Sequence, residues 1–316
     1  MHYLITGGAG FIGSHLAEAL LARGDVVTVL DDFSTGSETN LAGVKVRIVR
    51  GSVIDAGAMD EALVGVDQVV HLAAAVGVRK IMEERVTGIR TNVQGSEIVL
   101  AACAARRIPL FLASTSETYG KNAAVPFSED ADAVFGPSSL HRWSYACSKL
   151  LDEFLALAYF HEHRLPVIVA RFFNVTGPRQ SPEYGMVLPR FCQAALAGQA
   201  LEVHGSGRQS RCFLHVADTV DAILRLLDCP AAIGEVVNIG SDEEITIHAL
   251  AERVIAQAGR GMIRQIPYAT AFPEGGFEDM QRRVPNTAKL TRLTGWTRQR
   301  DLEATIADAL SWAGNG

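Results

Sequence analysis

Tyr145 and Lys149 stand four residues apart in Tyr145-Ala146-Cys147-Ser148-Lys149, at the start of an amphipathic run that reaches about His163. Residues four apart share one face of a helix, so the phenol and the ammonium are expected to project together. An ammonium beside a phenol favours the phenolate and lowers a pKa that is ordinarily about 10. The chemistry implied is a general base that takes a proton from a hydroxyl group. Taken alone, the same spacing suits an ordinary surface helix. A second polar cluster, Ser114-Thr115-Ser116-Glu117-Thr118-Tyr119-Gly120, follows the apolar run Leu110-Phe111-Leu112-Ala113. Thr115, Ser116 and Glu117 are the catalytic candidates there, with a solvated or capping acid as the plain alternative for Glu117.

A glycine-rich stretch supplies a partner for that base. Gly7-Gly8-Ala9-Gly10-Phe11-Ile12-Gly13 lies between the apolar run Tyr3-Leu4-Ile5 and a helical pattern from Phe11 to Leu21. Asp31 ends the next apolar run, close to the ~20 residues expected between such glycines and a ribose-binding acid. Glycines allow a tight turn and let backbone N–H groups approach a pyrophosphate, to which the helix amino terminus adds partial positive charge. Asp31 is expected to hydrogen-bond the adenosine ribose, and Asp32 is placed to share that role. A carboxylate there repels a 2′-phosphate, which favours NAD over NADP. The cationic nicotinamide ring would add to Lys149 in favouring the Tyr145 phenolate.

The elements that must position these groups alternate. Val26 to Leu30, Val46 to Val49, Asp67 to Leu72, Leu110 to Ala113 and Val167 to Ala170 read as further strands, with helical patterns that include Asn92 to Arg106. Continuous Val, Ile and Leu strands separated by helices predict an α/β fold, a doubly wound parallel sheet of Rossmann type. After Asn174 the segments shorten, punctuated by Gly177-Pro178, Gly205-Ser206-Gly207, Gly240-Ser241 and Gly275-Gly276. The expected division is an NAD-binding domain over 1–174, carrying Tyr145 and Lys149. Residues 175–316 would form a smaller mixed α/β substrate-binding region, with some segments returning to the first domain.

Composition narrows the functional classes. The 316 residues are 48% hydrophobic with a formal net charge of -6, which suits a globular interior and disfavours nucleic acid, whose phosphates call for clustered Lys and Arg. Five cysteines without a CxxC pair suggest neither a disulfide framework nor a zinc site, so no metal is expected. No secretory signal or apolar run of ~20 residues is seen, and a soluble cytoplasmic protein is expected.

The motifs together resemble the extended short-chain dehydrogenase/reductase superfamily of sugar-nucleotide epimerases, dehydratases and decarboxylases. The resemblance runs through T-G-G-A-G-F-I-G at 6 to 13, H-L-A-A at 71 to 74, S-T-S-E-T-Y-G at 114 to 120 and Y-x-x-x-K at 145 to 149. It continues through R-F-F-N-V-T-G-P at 171 to 178, G-S-G-R-Q-S-R-C-F-L-H-V at 205 to 216 and N-I-G-S at 238 to 241. It implies that Tyr145 is the base, that Lys149 holds the cofactor ribose, and that Thr115 hydrogen-bonds the sugar O4. Phe11, Ile12, Leu72, Ala73 and Ala74 join the glycines and Asp31 around NAD. Where relatives have Gly-Asp-hydrophobic to bind adenine, this chain has Gly51-Ser52-Val53, so Ser52 and Val53 take that place with a weaker side-chain contact. Asn174 is similar to a substrate-contacting asparagine, Arg211 to the arginine that grips the diphosphate, and Arg282 or Arg283 to a second phosphate or carboxylate clamp. Helices over Asn92 to Arg106 and Tyr145 to His163 resemble those that pair relatives into homodimers.

In this superfamily Tyr145 would remove the O4 proton while C4 is oxidised by NAD, giving a 4-keto sugar. A C6 carboxylate then leads to decarboxylation, a C6 hydroxyl to dehydration with Glu117 at C5, and neither to 4-epimerisation. Glu117 argues against simple UDP-galactose-type epimerases, and Ser116 against dTDP-glucose dehydratases. Thr115-Ser116-Glu117 is shared with UDP-glucuronate decarboxylases and GDP-mannose dehydratases. Gln281-Arg282-Arg283-Val284-Pro285-Asn286 and Arg142-Trp143-Ser144 resemble decarboxylases, whereas Gly77-Val78-Arg79 resembles UDP-glucuronate 4-epimerases. The expectation is therefore decarboxylation of UDP-glucuronate to UDP-xylose or its 4-keto form, with a cationic site drawn from Arg79, Arg179 or Arg283 for the carboxylate. The 4-epimerase, the GDP-mannose-type dehydratase and an NAD-binding regulator without activity are the alternatives.

Overall fold

The computed structural model describes residues 1–75, 85–183, 185–271 and 278–315. Seven short runs dominated by Val, Ile and Leu line up as one parallel sheet in the order β11-β6-β5-β4-β1-β2-β3. These strands are β1 (His2–Thr6), β2 (Val26–Asp31), β3 (Arg47–Arg50), β4 (Gln68–His71), β5 (Leu110–Thr115), β6 (Val167–Phe172) and β11 (Val236–Ile239). Central strands lack polar alternation because helices cover both of their faces, and β4 is buried along its whole length. The expected doubly wound sheet is the one observed.

One face is covered by α1 (Phe11–Ala22) and α6 (Val216–Leu227), whose Leu16, Leu20, Ile223 and Leu226 pack on Ile5, Val29 and Phe111. The other is covered by α2 (Ala56–Ala62), α3 (Arg85–Arg106) and α4 (Ser144–His163), through Met59, Val99, Leu100, Cys103 and Ala156. Helix α3 is described from Arg85, seven residues before the expected Asn92. Its first two turns are largely polar or exposed and carry Gly88, so they lack the apolar period that marks a helix in sequence.

The chain after Asn174 contributes to two places. Val236–Ile239 returns to extend the main sheet beside β6. The remainder builds small sheets from β7 (Val175–Thr176), β8 (Ala200–His204), β9 (Ser210–Cys212), β10 (Leu214–His215), β12 (Glu244–Thr246), β13 (Met262–Ile266) and β14 (Arg282–Arg283). Helices α5 (Val187–Leu196), α7 (Ile247–Ala258) and α10 (Leu302–Asn315) close a separate core around Phe191, Leu250 and Ile306. The shorter α8 (Tyr268–Ala271) and α9 (Ala288–Thr294) complete the elements used below. Among the described residues no helix is long and apolar enough to cross a membrane.

The chain runs outward from β1 to β2 and β3, then crosses back to β4 on the other side of β1. Loops after β1 and β4 consequently diverge and leave a crevice at the carboxyl edge. Phe111 lies under this edge, fully buried on the strand that ends in Thr115. Phe111→Ala is expected to cost ~3–5 kcal/mol of unfolding free energy by urea titration, from lost burial plus a cavity.

Candidate active site

The crevice is a cleft of about 1940 Å³ bordered by both parts of the chain. At one end the β1–α1 turn needs its glycines. Gly7 has φ +72°, and a Cβ there would lie 2.8 Å from the Ala73 amide nitrogen. A Cβ at Gly13 would stand 2.3 Å from the Gly7 carbonyl oxygen, so the first helical turn could not close on the strand. Gly10 lines the same cradle, as do Phe11, Ile12, Ser52, Val53, Leu72, Ala73 and Ala74. Asp31 sits at the carboxyl end of β2, where its Oδ2 accepts from the Ala9 amide (2.9 Å) and its Oδ1 from the Phe33 amide (2.8 Å). Burial raises the Asp31 pKa, an effect that these two amides oppose. Asp32 is exposed and caps Ser34, and both acids border the cleft. Two amide bonds leave lone pairs on the Asp31 carboxylate for ribose hydroxyls.

The middle of the cleft gathers the acid–base residues. Thr115 ends β5, and a tight turn over Ser116–Tyr119 follows, capped by the Thr115 hydroxyl accepting from the Glu117 amide (3.2 Å). Helix α4 enters from the opposite side after a short turn at His141–Trp143. Tyr145 and Thr115 hydroxyls hydrogen-bond to each other. Burial raises the Tyr145 pKa, Glu117 and Asp152 raise it further, and Thr115 and Arg283 work the other way. Sequence reasoning predicted a lowered phenol pKa from Lys149. Burial of the phenol is the largest cause of the departure, with Glu117 and Asp152 adding to it, and the Lys149 ammonium is itself held by the buried Asp152 carboxylate at 2.8 Å, in an i,i+3 ion pair.

Glu117 is not a solvated cap. It is 9% exposed and receives both terminal nitrogens of Arg142, one of them at 3.1 Å, and Nη2 of Arg283 at 3.1 Å. Burial alone would raise its pKa, but the Arg142 and Arg283 guanidiniums outweigh burial and hold it at about 2. Arg283 in turn is pushed down to about 10, chiefly by burial. Its Nη1 also donates to Ser116 Oγ (3.3 Å), so Ser116 supports Arg283 and is not part of the cleft wall. In the sequence Arg142 stands out only as part of the Arg142-Trp143-Ser144 resemblance. Its place three residues before Tyr145 was the available signal.

Other candidates separate. Arg211 on β9 and Arg283 on β14 are register partners, and Arg211 is anchored to Asp279 (2.7 Å) and to the Ser210 and Met280 carbonyls. Asn174, at φ +35°, donates to the Cys212 carbonyl (2.9 Å) beside the cleft. Arg179 borders the cleft at the α1 end, tied to Glu18 (2.5 Å) and Ser14 (3.3 Å), away from the Glu117 cluster. Arg282 does not belong to the site. It is exposed and forms a two-pronged pair with Glu244 at 2.8 and 2.7 Å, because alternate residues of a strand point to opposite faces. Arg79 lies outside the described residues. Arg190, His204, Gln209 and Tyr268 also line the cleft. No local pattern marked them, since they come from separate segments brought together by α5 packing and the β8–β13 and β9–β14 pairings.

Comparison with known proteins agrees with this geometry. The NAD dependent epimerase/dehydratase family matches residues 3–240. A UDP-N-acetyl-alpha-D-glucosaminuronate decarboxylase of Bacillus cytotoxicus is 40% identical over 314 residues, covering 98% of this chain and 96% of the relative. UDP-glucuronic acid decarboxylase 1 of Danio rerio is 35% identical over 294 residues, covering 93% and 68%. Among solved structures, DesIV of Streptomyces venezuelae, a dTDP-glucose 4,6-dehydratase with NAD and TYD bound, superposes with a TM-score of 0.90 at 29% identity, covering 100% and 97%.

The Glu117 cluster makes a stability prediction. Its folded pKa of about 2 lies below the ordinary 4.5, so its contribution is complete above pH 4.5 and is lost as the pH falls toward 2. Glu117→Gln leaves two buried guanidiniums without their carboxylate and is expected to cost ~3–5 kcal/mol near neutrality. In urea unfolding at a series of pH values, the gap from the parent protein should narrow steadily on acidification through that window.

Proposed function

The chain belongs to the NAD dependent epimerase/dehydratase family, and we propose that its reaction is the decarboxylation of a UDP-hexuronate through a 4-keto sugar. The observation that carries this reading is the Arg142–Glu117–Arg283 cluster beside the Tyr145 and Thr115 hydroxyls. Two cations against one ionised carboxylate leave a net positive charge, which suits a substrate carboxylate and has no counterpart in a neutral hexose.

The cradle fits NAD: without a Cβ, Gly7 packs on the Ala73 backbone and Gly13 on the Gly7 carbonyl, which lets the β1–α1 turn close tightly and present the α1 amino terminus to the cleft where a pyrophosphate would lie. Asp31 would hold the adenosine ribose and Lys149 the second ribose. NAD bound there supplies reversible two-electron oxidation at the sugar C4. Thr115 and Tyr145 receive O4 between their hydroxyls, and Tyr145 takes its proton. With C4 a ketone, the C6 carboxylate belongs to a β-keto acid. The C5–C6 bond then breaks, carbon dioxide leaves, and the electron pair passes to O4 as an enolate. Tyr145 and Thr115 donate hydrogen bonds to that enolate, and C5 takes a proton from solvent water as the enolate returns to the ketone. Arg142 and Arg283 orient the carboxylate, while Asn174 and Arg211 bind the rest of the sugar nucleotide. A carboxylate held at a pKa of about 2 is a weak base at neutral pH. Glu117 therefore acts by fixing the two arginines, which favours decarboxylation over dehydration by proton removal at C5.

UDP-glucuronate is the substrate expected from sequence, and the 40% identical relative brings in its 2-acetamido counterpart. Both should be offered with NAD and the products followed by proton NMR in deuterated water. A UDP-pentose or 4-keto-pentose carrying deuterium at C5 is the expected product. A 4-epimer with its carboxylate retained, or no carbon dioxide from either uronate, would overturn the reading. Tyr145→Phe should lower kcat by ~10²–10⁴-fold without loss of NAD binding.

The assembly we propose is a homodimer through α3 and α4. Ile89 on α3 and Leu151 and Phe154 on α4 are exposed, Phe154 by 64%. Such apolar surface on two packed helices favours a second copy. A cytoplasmic setting is supported by the free cysteines. Sedimentation should give a dimer at micromolar concentration, with Phe154→Glu shifting it to monomer; a monomeric parent protein would refute the assembly.

A further inference from the structure

One buried acid beside the reacting groups has no part in the steps above. Asp152 lies one turn beyond Lys149 on α4, is 1% exposed, and its Oδ2 accepts from the ammonium at 2.8 Å. Its carboxylate also has the Ser96 hydroxyl of α3 as a polar neighbour. An apolar side chain there would leave the buried Lys149 ammonium without a counter-charge. Packing therefore does not account for the acid.

The surrounding charges indicate what it does. Facing Tyr145 are Glu117 from the turn after β5, Thr115 from β5, Arg142 from the turn before α4, Arg283 from β14, and Asp152 from its own helix. Facing Asp152 are Lys149 and Glu153 on α4 and Ser96 on α3. Beyond Lys149 stands His71 of β4, kept neutral at a pKa of about 3 by burial and by that ammonium. Two carboxylates thus oppose ionisation of the phenol, and the ammonium that would favour it is already paired.

We propose that Asp152 is a positioning residue that fixes the Lys149 ammonium on the helix face it shares with Tyr145 and opposes its charge, so that the Tyr145 hydroxyl gives up its proton less readily than the lysine alone would make it do. Glu117 shares in this opposition but is committed to two arginines, whereas Asp152 bears on the base and on its lysine together. Removing the carboxylate leaves Lys149 free to favour the phenolate. The inference rests on the reading of Tyr145 as the base.

Its test needs no sugar nucleotide. Phenolate absorbance of the NAD-loaded protein is titrated with pH, and the same curve from Tyr145→Phe is subtracted to isolate one tyrosine. Asp152→Asn should move the Tyr145 midpoint down by about one pH unit, a roughly tenfold gain in phenolate at fixed pH. Asp152→Glu, which keeps the charge, should return it toward the parent value. If Asp152→Asn does not fold, Asp152→Ser leaves room for a water beside the ammonium and should give the same downward shift. A midpoint unmoved or raised by the neutral variants, or moved equally by Glu and Asn, would overturn the proposal. Absence of carbon dioxide release from either uronate, with the midpoint still shifting, would count against the proposed reaction and leave the role of Asp152 standing.

Discussion

Burial of charge at the carboxyl edge of the sheet is the constraint on which the site depends. Removing an ion from water costs several kcal/mol unless a partner and hydrogen bonds replace its solvation. Each buried cation near the catalytic pair accordingly has a carboxylate: Arg142 and Arg283 share Glu117, Lys149 has Asp152, Arg211 has Asp279, and Arg171 has Glu153. These pairs hold long flexible side chains in single orientations around the cleft. They also determine the electrostatics, because the pairing that makes a charge tolerable fixes how much of it a ligand can feel. Glu117 is driven to full ionisation by its partners, and Tyr145 is held protonated first by burial and then by the Glu117 and Asp152 carboxylates.

The backbone brings those charges together. Parallel strands end at one edge, so the loops after β1, β2, β4, β5 and β6 deliver Gly7, Asp31, Leu72, Thr115 and Asn174 to one crevice. The β9–β14 pairing then sets Arg283 next to Arg211 from segments seventy-two residues apart. Asn238, buried on the strand that rejoins the main sheet, accepts from the Tyr119 hydroxyl (2.8 Å) and donates to the Phe127 carbonyl (2.9 Å). It thereby ties the loop after β5 to the later half of the chain. Rigidity at this junction matters, since proton transfer depends on hydroxyls held within hydrogen-bond reach of one another.

What sequence alone determined was whatever local spacing encodes. The strand–glycine–helix turn, Asp31 at its distance, the four-residue step from Tyr145 to Lys149 and the turn after β5 each need only a short stretch of chain, and each lies where it was expected. Tertiary structure decided what depends on partners from elsewhere. Arg282 and Arg283 are adjacent in sequence, yet the strand pleat sends one to Glu244 at the surface and the other to Glu117 in the cleft. Arg142 joined the site because Glu117 folds against it from a different element. The ionisation of Tyr145 likewise could not be read from Lys149, since pKa values follow burial and the full set of neighbouring charges, and Asp152 had already claimed the ammonium.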